Sequence, residues 1–210
     1  MFNLEYILMS SYFLSILIAF ITAVAGPFLV EWAKHKFFRK KHPNPLKEAF
    51  DLNDSVNTQL EDILHELKCD TVSILQFHNG GHFYPTGKSI QKFSVFYEQT
   101  TPRASSIARD LQNVPCSVFP KSLLSIYNNN SLSIPSFDGG YDIYDLDTFS
   151  VNYDTKSLYM FALKDLNNKL VAMLYIGYSE NEHTLSADEV SYLSQKVGTI
   201  GTLLTKYLTR

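Results

Sequence analysis

The 210-residue sequence predicts an α+β fold, a central antiparallel sheet with helices packed against it, preceded by one transmembrane helix. Three observations predict it. Two short apolar runs, Ser157 to Leu163 and Leu170 to Ile176, flank the polar segment 164–169 and read as a β-hairpin, because each run is too short for an ordinary helix and Asn167-Asn168 tolerate left-handed backbone. Helical periodicity marks residues 46–68 and 186–204. Finally, no charge occurs from Tyr6 to Val30.

The uncharged stretch comes first. As a helix rising about 1.5 Å per residue it reaches roughly 37 Å, enough for a hydrocarbon layer of about 30 Å with some tilt. Glu5 stands where a signal peptide carries positive charge, and the apolar core is longer than such a peptide needs. Gly26-Pro27 disturbs the last turns. Residues 1–33 therefore read as an anchor, with Trp32 at the aromatic belt. Residues 34–45 read as a basic linker whose Lys34, Lys36, Arg39, Lys40 and Lys41 meet anionic lipid while Phe37 and Phe38 dip into the headgroups. By the positive-inside rule the amino terminus is outside and residues 46–210 face the cytoplasm at the inner membrane. A net charge of −3 gives no general reason to expect nucleic acid, and Cys69 and Cys116 make neither a disulfide framework nor a zinc site.

His42-Pro43-Asn44-Pro45 ends the basic segment. In the helix beyond it, Ala49, Asn53, Val56, Leu60, Ile63 and Leu67 recur every three or four residues. Two readings fit this seam. Asn53, Val56, Leu60, Ile63 and Leu67 pair two copies of the chain as a short coiled coil with Asn53 in its core, or the same stripe packs on the domain's own sheet and leaves Asn53 at the surface.

Thr71 to Gln76 and Ile90 to Gln99 read as strands around the loop 77–87. Its glycines release the backbone, and His78, Asn79, His82 and Tyr84 supply donors, acceptors and a group titrating near neutrality, which makes the loop a candidate small-molecule contact or a plain turn. His78 and His82 have the spacing of helical metal ligands, but Gly80-Gly81 oppose a helix and no carboxylate or cysteine is close in sequence, so no metal is expected. Residues 102–120 form an irregular connection. Pro120 then opens a short helix, Asn128-Asn129-Asn130 stops it, and Leu132 to Phe137 resumes as a strand. Asp138, Asp142, Asp145 and Asp147 lack the spacing of a calcium loop, so residues 138–147 read as a solvated acidic loop. At the end of the chain Ser186 and Glu189 form a capping box ahead of Val190, Leu193, Val197, Ile200 and Leu204.

The runs Lys-Ser-Leu-Tyr-Met-Phe-Ala-Leu-Lys-Asp, Asn-Asn-Lys-Leu-Val-Ala-Met-Leu-Tyr-Ile-Gly and Leu-Ser-Ala-Asp-Glu-Val-Ser-Tyr-Leu resemble the final hairpin and helix of a GAF domain. The order of elements extends the likeness over 46–210. The resemblance implies a sheet backed on one face by the first and last helices, small-molecule sensing, dimerisation through those helices, and a ligand pocket bordered by the 137–144 region, with Phe137, Tyr141 and Tyr144 as candidate lining. It brings no catalytic signature, and nucleophile elbow, phosphate loop, dinucleotide fingerprint and metalloprotease helix are all absent from the sequence. The sequence thus predicts no enzyme, no cofactor and no nucleic-acid partner. It predicts a membrane-anchored sensory or interaction module of the GAF type, its partners the bilayer, a second copy, a possible small ligand and an unidentified protein, with output through others because the chain stops at Arg210. The alternative is a holin-like phage lysis protein, in which one span also precedes a soluble domain. There the soluble part lies outside.

Overall fold

The computed structural model describes residues 12–37, 44–82, 86–139 and 144–208. They fall into two compact units, Met1–Lys47 and Glu48–Arg210.

In the first unit residues 12–37 are helical (α1). The helical stretch Tyr12–Lys34 is 23 residues long, its 18-residue apolar window has a mean hydropathy of 2.4, and none of that window is covered by protein. The helix is long and apolar enough to cross a bilayer, a property it shares with signal sequences at the same end of a chain. Pro27 has no amide hydrogen for the carbonyl one turn back and its ring crowds that turn. The helix accordingly widens into a π turn at Ile21–Ala25, closed by the Gly26 amide donating to the Ile21 carbonyl.

The second unit is built on a six-stranded sheet in the order β3-β2-β1-β6-β5-β4, antiparallel at every pairing. Helix α2 (Pro45–Leu67) leads into β1 (Thr71–His82), β2 (Ser89–Thr100) and the two-residue β3 (Val114–Pro115). Helix α3 (Pro120–Asn129), β4 (Ser131–Ile134), α4 (Asp147–Tyr153), β5 (Ser157–Lys164), β6 (Leu170–Tyr178) and α5 (Ala187–Leu208) complete it. The β5–β6 hairpin turns where expected. Asn168 takes the left-handed conformation with φ of 62°, and Asp165 Oδ1 accepts the Asn167 and Lys169 amides at 2.9 and 2.8 Å.

Both faces of the sheet are covered. On one, Val56, Leu60, Ile63 and Leu67 of α2 and Leu193, Ile200 and Leu204 of α5 bury against Val72, Ile74, Leu163, Leu174 and Ile176. The helix seam is therefore spent inside the domain: those four α2 side chains are at most 3% exposed, and they are not available to pair with a second copy. Asn53 stays at the surface and accepts the Tyr97 hydroxyl at 2.9 Å. The capping box forms as read, with the Ser186 amide on Glu189 Oε2 at 2.7 Å and the Glu189 amide on Ser186 Oγ at 3.3 Å.

On the other face an aromatic core, Phe93, Phe119, Phe149, Tyr153 and Tyr175 among it, lies beneath α3, α4 and the connection 101–113. Three sequence readings change here. β1 runs on to His82 where a loop was expected, because β2 starts at Ser89 and pairs with it across a register shift at Asn79/His82; Gly81, at φ of 110°, supplies the backbone this shift needs. β4 stops at Ile134, short of Phe137, which instead opens a 3-10 turn. The acidic segment is not simply a solvated loop: Asp145 accepts the Lys121 and Ser122 amides at 2.9 and 3.1 Å as the N-terminal cap of α3, and Asp147 opens α4.

Candidate functional site

Strand β1 decides what the residues at its end can do. Because successive side chains of a strand leave opposite faces, His78 and Asn79 diverge. His78 Nε2 lies 2.9 Å from Ser94 Oγ, which also accepts the Asn113 amide, and its ring meets the edge of Phe96. Asn79 instead accepts a hydrogen bond from Gln91 on β2 at 3.2 Å. His82 pairs with Ser89 at the far end of the hairpin.

Phe137 lies at the other end of the sheet. Its amide bonds the carbonyl of Lys156, whose own amide bonds Tyr178, level with the start of β1. At about 3.3 Å per residue, roughly 23 Å of β1 separates that level from His78, so the two expected halves of a ligand site do not meet. Phe137 borders a polar hollow of about 450 Å³ with Asp138, Asp154, Glu180 and Glu182. Tyr84 and Tyr141 lie outside the described residues, as does the side chain of Tyr144, whose backbone forms a 3-10 turn. In α1 Trp32 is about half exposed and Lys34 pairs with Glu31 at 3.4 Å. Lys36 and Phe37 belong to α1, and Phe38, Arg39, Lys40 and Lys41 fall outside the described residues. No group of three or more His, Cys, Asp or Glu among the described residues could hold a metal ion.

The aromatic face is packed through. Phe149 stands 5.5 Å from Tyr175, 5.7 Å from Tyr153 and 6.0 Å from Phe119, and Phe119 stands 5.9 Å from Phe93. What remains between Leu75, Leu146, Met160 and Met173 is about 10 Å³, space for one water. Burial, reinforced by Asp110, pushes the Tyr153 phenol up to about 12, and its hydroxyl donates to that carboxylate at 3.2 Å.

Accessible space opens instead beside the β5–β6 turn, in a cleft of about 580 Å³. Five separate stretches of chain form it: Phe77 from β1, Gln91 from β2, Cys116 from the turn before α3, Leu123 and Tyr127 from α3, and Lys164, Asn168, Lys169 and Leu170 from the hairpin. Most of its lining is carbon, and Gln91, Asn168, Lys164 and Lys169 are its amide- and ammonium-bearing residues. Burial raises the Cys116 thiol above its ordinary value of 9.0, so it enters the cleft as a neutral wall. Sequence reading missed this site because no local motif marks residues gathered from five places.

No protein-family model and no curated protein matches the chain. Solved structures do match. The phycocyanobilin-bound GAF domain of a cyanobacterial phytochrome superposes with a TM-score of 0.60 at 19% identity, over 77% of this chain and 88% of that one. The blue-light-absorbing form of the Thermosynechococcus elongatus PixJ GAF domain gives 0.60 at 15% identity, over 77% and 89%. A GAF domain/HD domain protein from Geobacter sulfurreducens gives 0.58 at 9%, over 76% and 95%. The unit Glu48–Arg210 has a GAF-like fold.

Proposed function

We propose that the chain is a membrane-anchored GAF-like sensory or interaction module, held on the cytoplasmic side, that acts by binding a small molecule rather than by chemistry. The observation that carries this reading is the 580 Å³ cleft: its size suits small-molecule sites, and it opens on the fold on which the superposed phytochrome domain carries a pigment. The space inside the aromatic face, about 10 Å³, is many times too small for a tetrapyrrole.

Anchoring is supported by the uncovered apolar helix Tyr12–Lys34, and the cytoplasmic side by the cations that follow it. A homodimer, in this reading, uses surface other than the buried α2 seam. The test is to extract the full chain from membranes in lipid nanodiscs and to look for a co-purifying small molecule by native mass spectrometry. A stoichiometric adduct of a few hundred daltons is the expected result. A clean apo mass, with flat thermal-shift screens against metabolites, would leave a protein-docking role in its place.

A further inference from the structure

The cleft beside the β5–β6 turn carries a chemical bias of its own. Phe77, Leu123 and Leu170, which pack against the core beneath, give it an apolar floor, and the exposed Tyr127 also lines it. Two cations, Lys164 and Lys169, line it and no carboxylate among the described residues does, although acids outnumber bases in the chain as a whole. The nearest acid along the turn, Asp165, has one carboxylate oxygen committed to the Asn167 and Lys169 amides, where it stabilises the turn itself. The hollow at the opposite end of the sheet is lined by Asp138, Asp154, Glu180 and Glu182 against one cation, Lys156. Two openings of similar size on one domain thus differ in the sign of the net charge they present, and the cleft pairs its net positive charge with a mostly apolar lining.

An ammonium beside a partly enclosed, carbon-lined space attracts an anion more strongly than one in open water, because fewer water molecules screen the pair. The apolar floor discriminates further: a bare inorganic anion leaves it wet, whereas a ligand with a hydrophobic body covers it. We infer that the cleft binds a small, water-soluble amphipathic anion, an aromatic or branched apolar body bearing one carboxylate, sulfonate or phosphate. The body lies on Phe77, Leu123 and Leu170, and the acidic group reaches Lys164 and Lys169. This inference rests on the ligand-binding reading above and adds the ligand's class and its place.

Naphthalene-2-sulfonate is a suitable probe and naphthalene-2-sulfonamide its neutral counterpart. Both are titrated by fluorescence against the full chain in phosphatidylcholine nanodiscs, with empty nanodiscs as the blank. The sulfonate is expected to bind roughly tenfold or more tightly than the sulfonamide, and Lys164→Gln with Lys169→Gln to remove that difference while leaving the sulfonamide unchanged. Leu123→Trp, which fills the floor, is expected to weaken both probes. Tyr127→Ala, at an exposed position, is expected to do the same without disturbing the core. Equal binding of both probes, unaffected by the lysine substitutions, would overturn the anion preference yet leave a ligand site intact. No binding of either probe would overturn the inference altogether, and the broader reading would then stand or fall on the co-purified adduct.

Discussion

Gly201 shows how far one atom can decide the fold. A Cβ there would come within 2.8 Å of the Lys164 carbonyl oxygen, and that oxygen belongs to backbone that cannot swing aside. Helix α5 can lie this close to β5 only without a side chain at this point. Gly201→Ala is expected to destabilise the domain by about 1–3 kcal/mol, read as a lowered midpoint in chemical denaturation, although alanine is otherwise the better helix former. The two thiols should also separate. Burial drives Cys69 up to about 12 and leaves the residue 1% exposed, whereas Cys116 borders the cleft. In native protein a maleimide is expected to modify Cys116 alone, and Cys69 only once denaturant is added. Burial tends to raise Glu189, but hydrogen bonds from Ser186 and the neighbouring His183 outweigh it, and the carboxyl sits below its ordinary 4.5. A carboxyl depressed in the folded state stabilises above its unfolded pKa, so this contribution is present above about pH 4.5 and fades as pH falls through the lower folded value. Glu189→Gln is expected to flatten that part of an acid-unfolding curve and to leave the alkaline side unchanged.

At the scale of elements, legibility followed the locality of the signal. The β5–β6 hairpin and α5 were readable because their determinants are neighbours in sequence: Asp165 and Asn168 make the turn, and Ser186 and Glu189 cap the helix. Strand β1 beyond Gln76 was not readable, since Gly80-Gly81 signals a turn locally while pairing with Ser89–Gln91 determines the outcome. Helix α4 hid among acidic residues, although Phe149 and Tyr153, one turn apart and both buried, were a faint trace of it. The α2 seam was ambiguous in principle, because a heptad stripe looks alike whether it meets a second helix or a sheet. The buried arrangement makes a distinct prediction. Leu60→Ala or Ile63→Ala should cost about 2–5 kcal/mol of domain stability, as truncations inside a packed core do. Were the stripe an interface between copies, the same substitutions would yield folded monomers by analytical ultracentrifugation instead of a less stable domain.

For the molecule as a whole, the divided sheet assigns different tasks to its two faces. The face under α2 and α5 is closed mainly by aliphatic side chains with Tyr159 and Tyr178 among them, and the opposite face by aliphatic side chains around a cluster of Phe and Tyr, so open space is left at the ends of the sheet, beside the hairpin turn and around Glu180 and Glu182. The sequence marked the hollow around Glu180 and Glu182 only through Phe137, and the cleft beside the hairpin not at all, because each is assembled from segments far apart along the chain. In the anchored form proposed above, the side of the membrane that these openings face decides which molecules can reach them, and it separates a cytoplasmic sensor from a lysis protein whose domain lies outside. Leu166, at the tip of the hairpin and 81% exposed, offers a reporter that disturbs no packing. With Cys69 and Cys116 replaced by serine and Leu166→Cys introduced, a membrane-impermeant maleimide is expected to leave intact cells unlabelled and to label the protein after permeabilisation. The basis is the cation cluster after the span, which favours the cytoplasmic side for whatever follows it. Labelling in intact cells would reverse the orientation, expose the cleft to the outside and make the holin-like layout the better account of the chain.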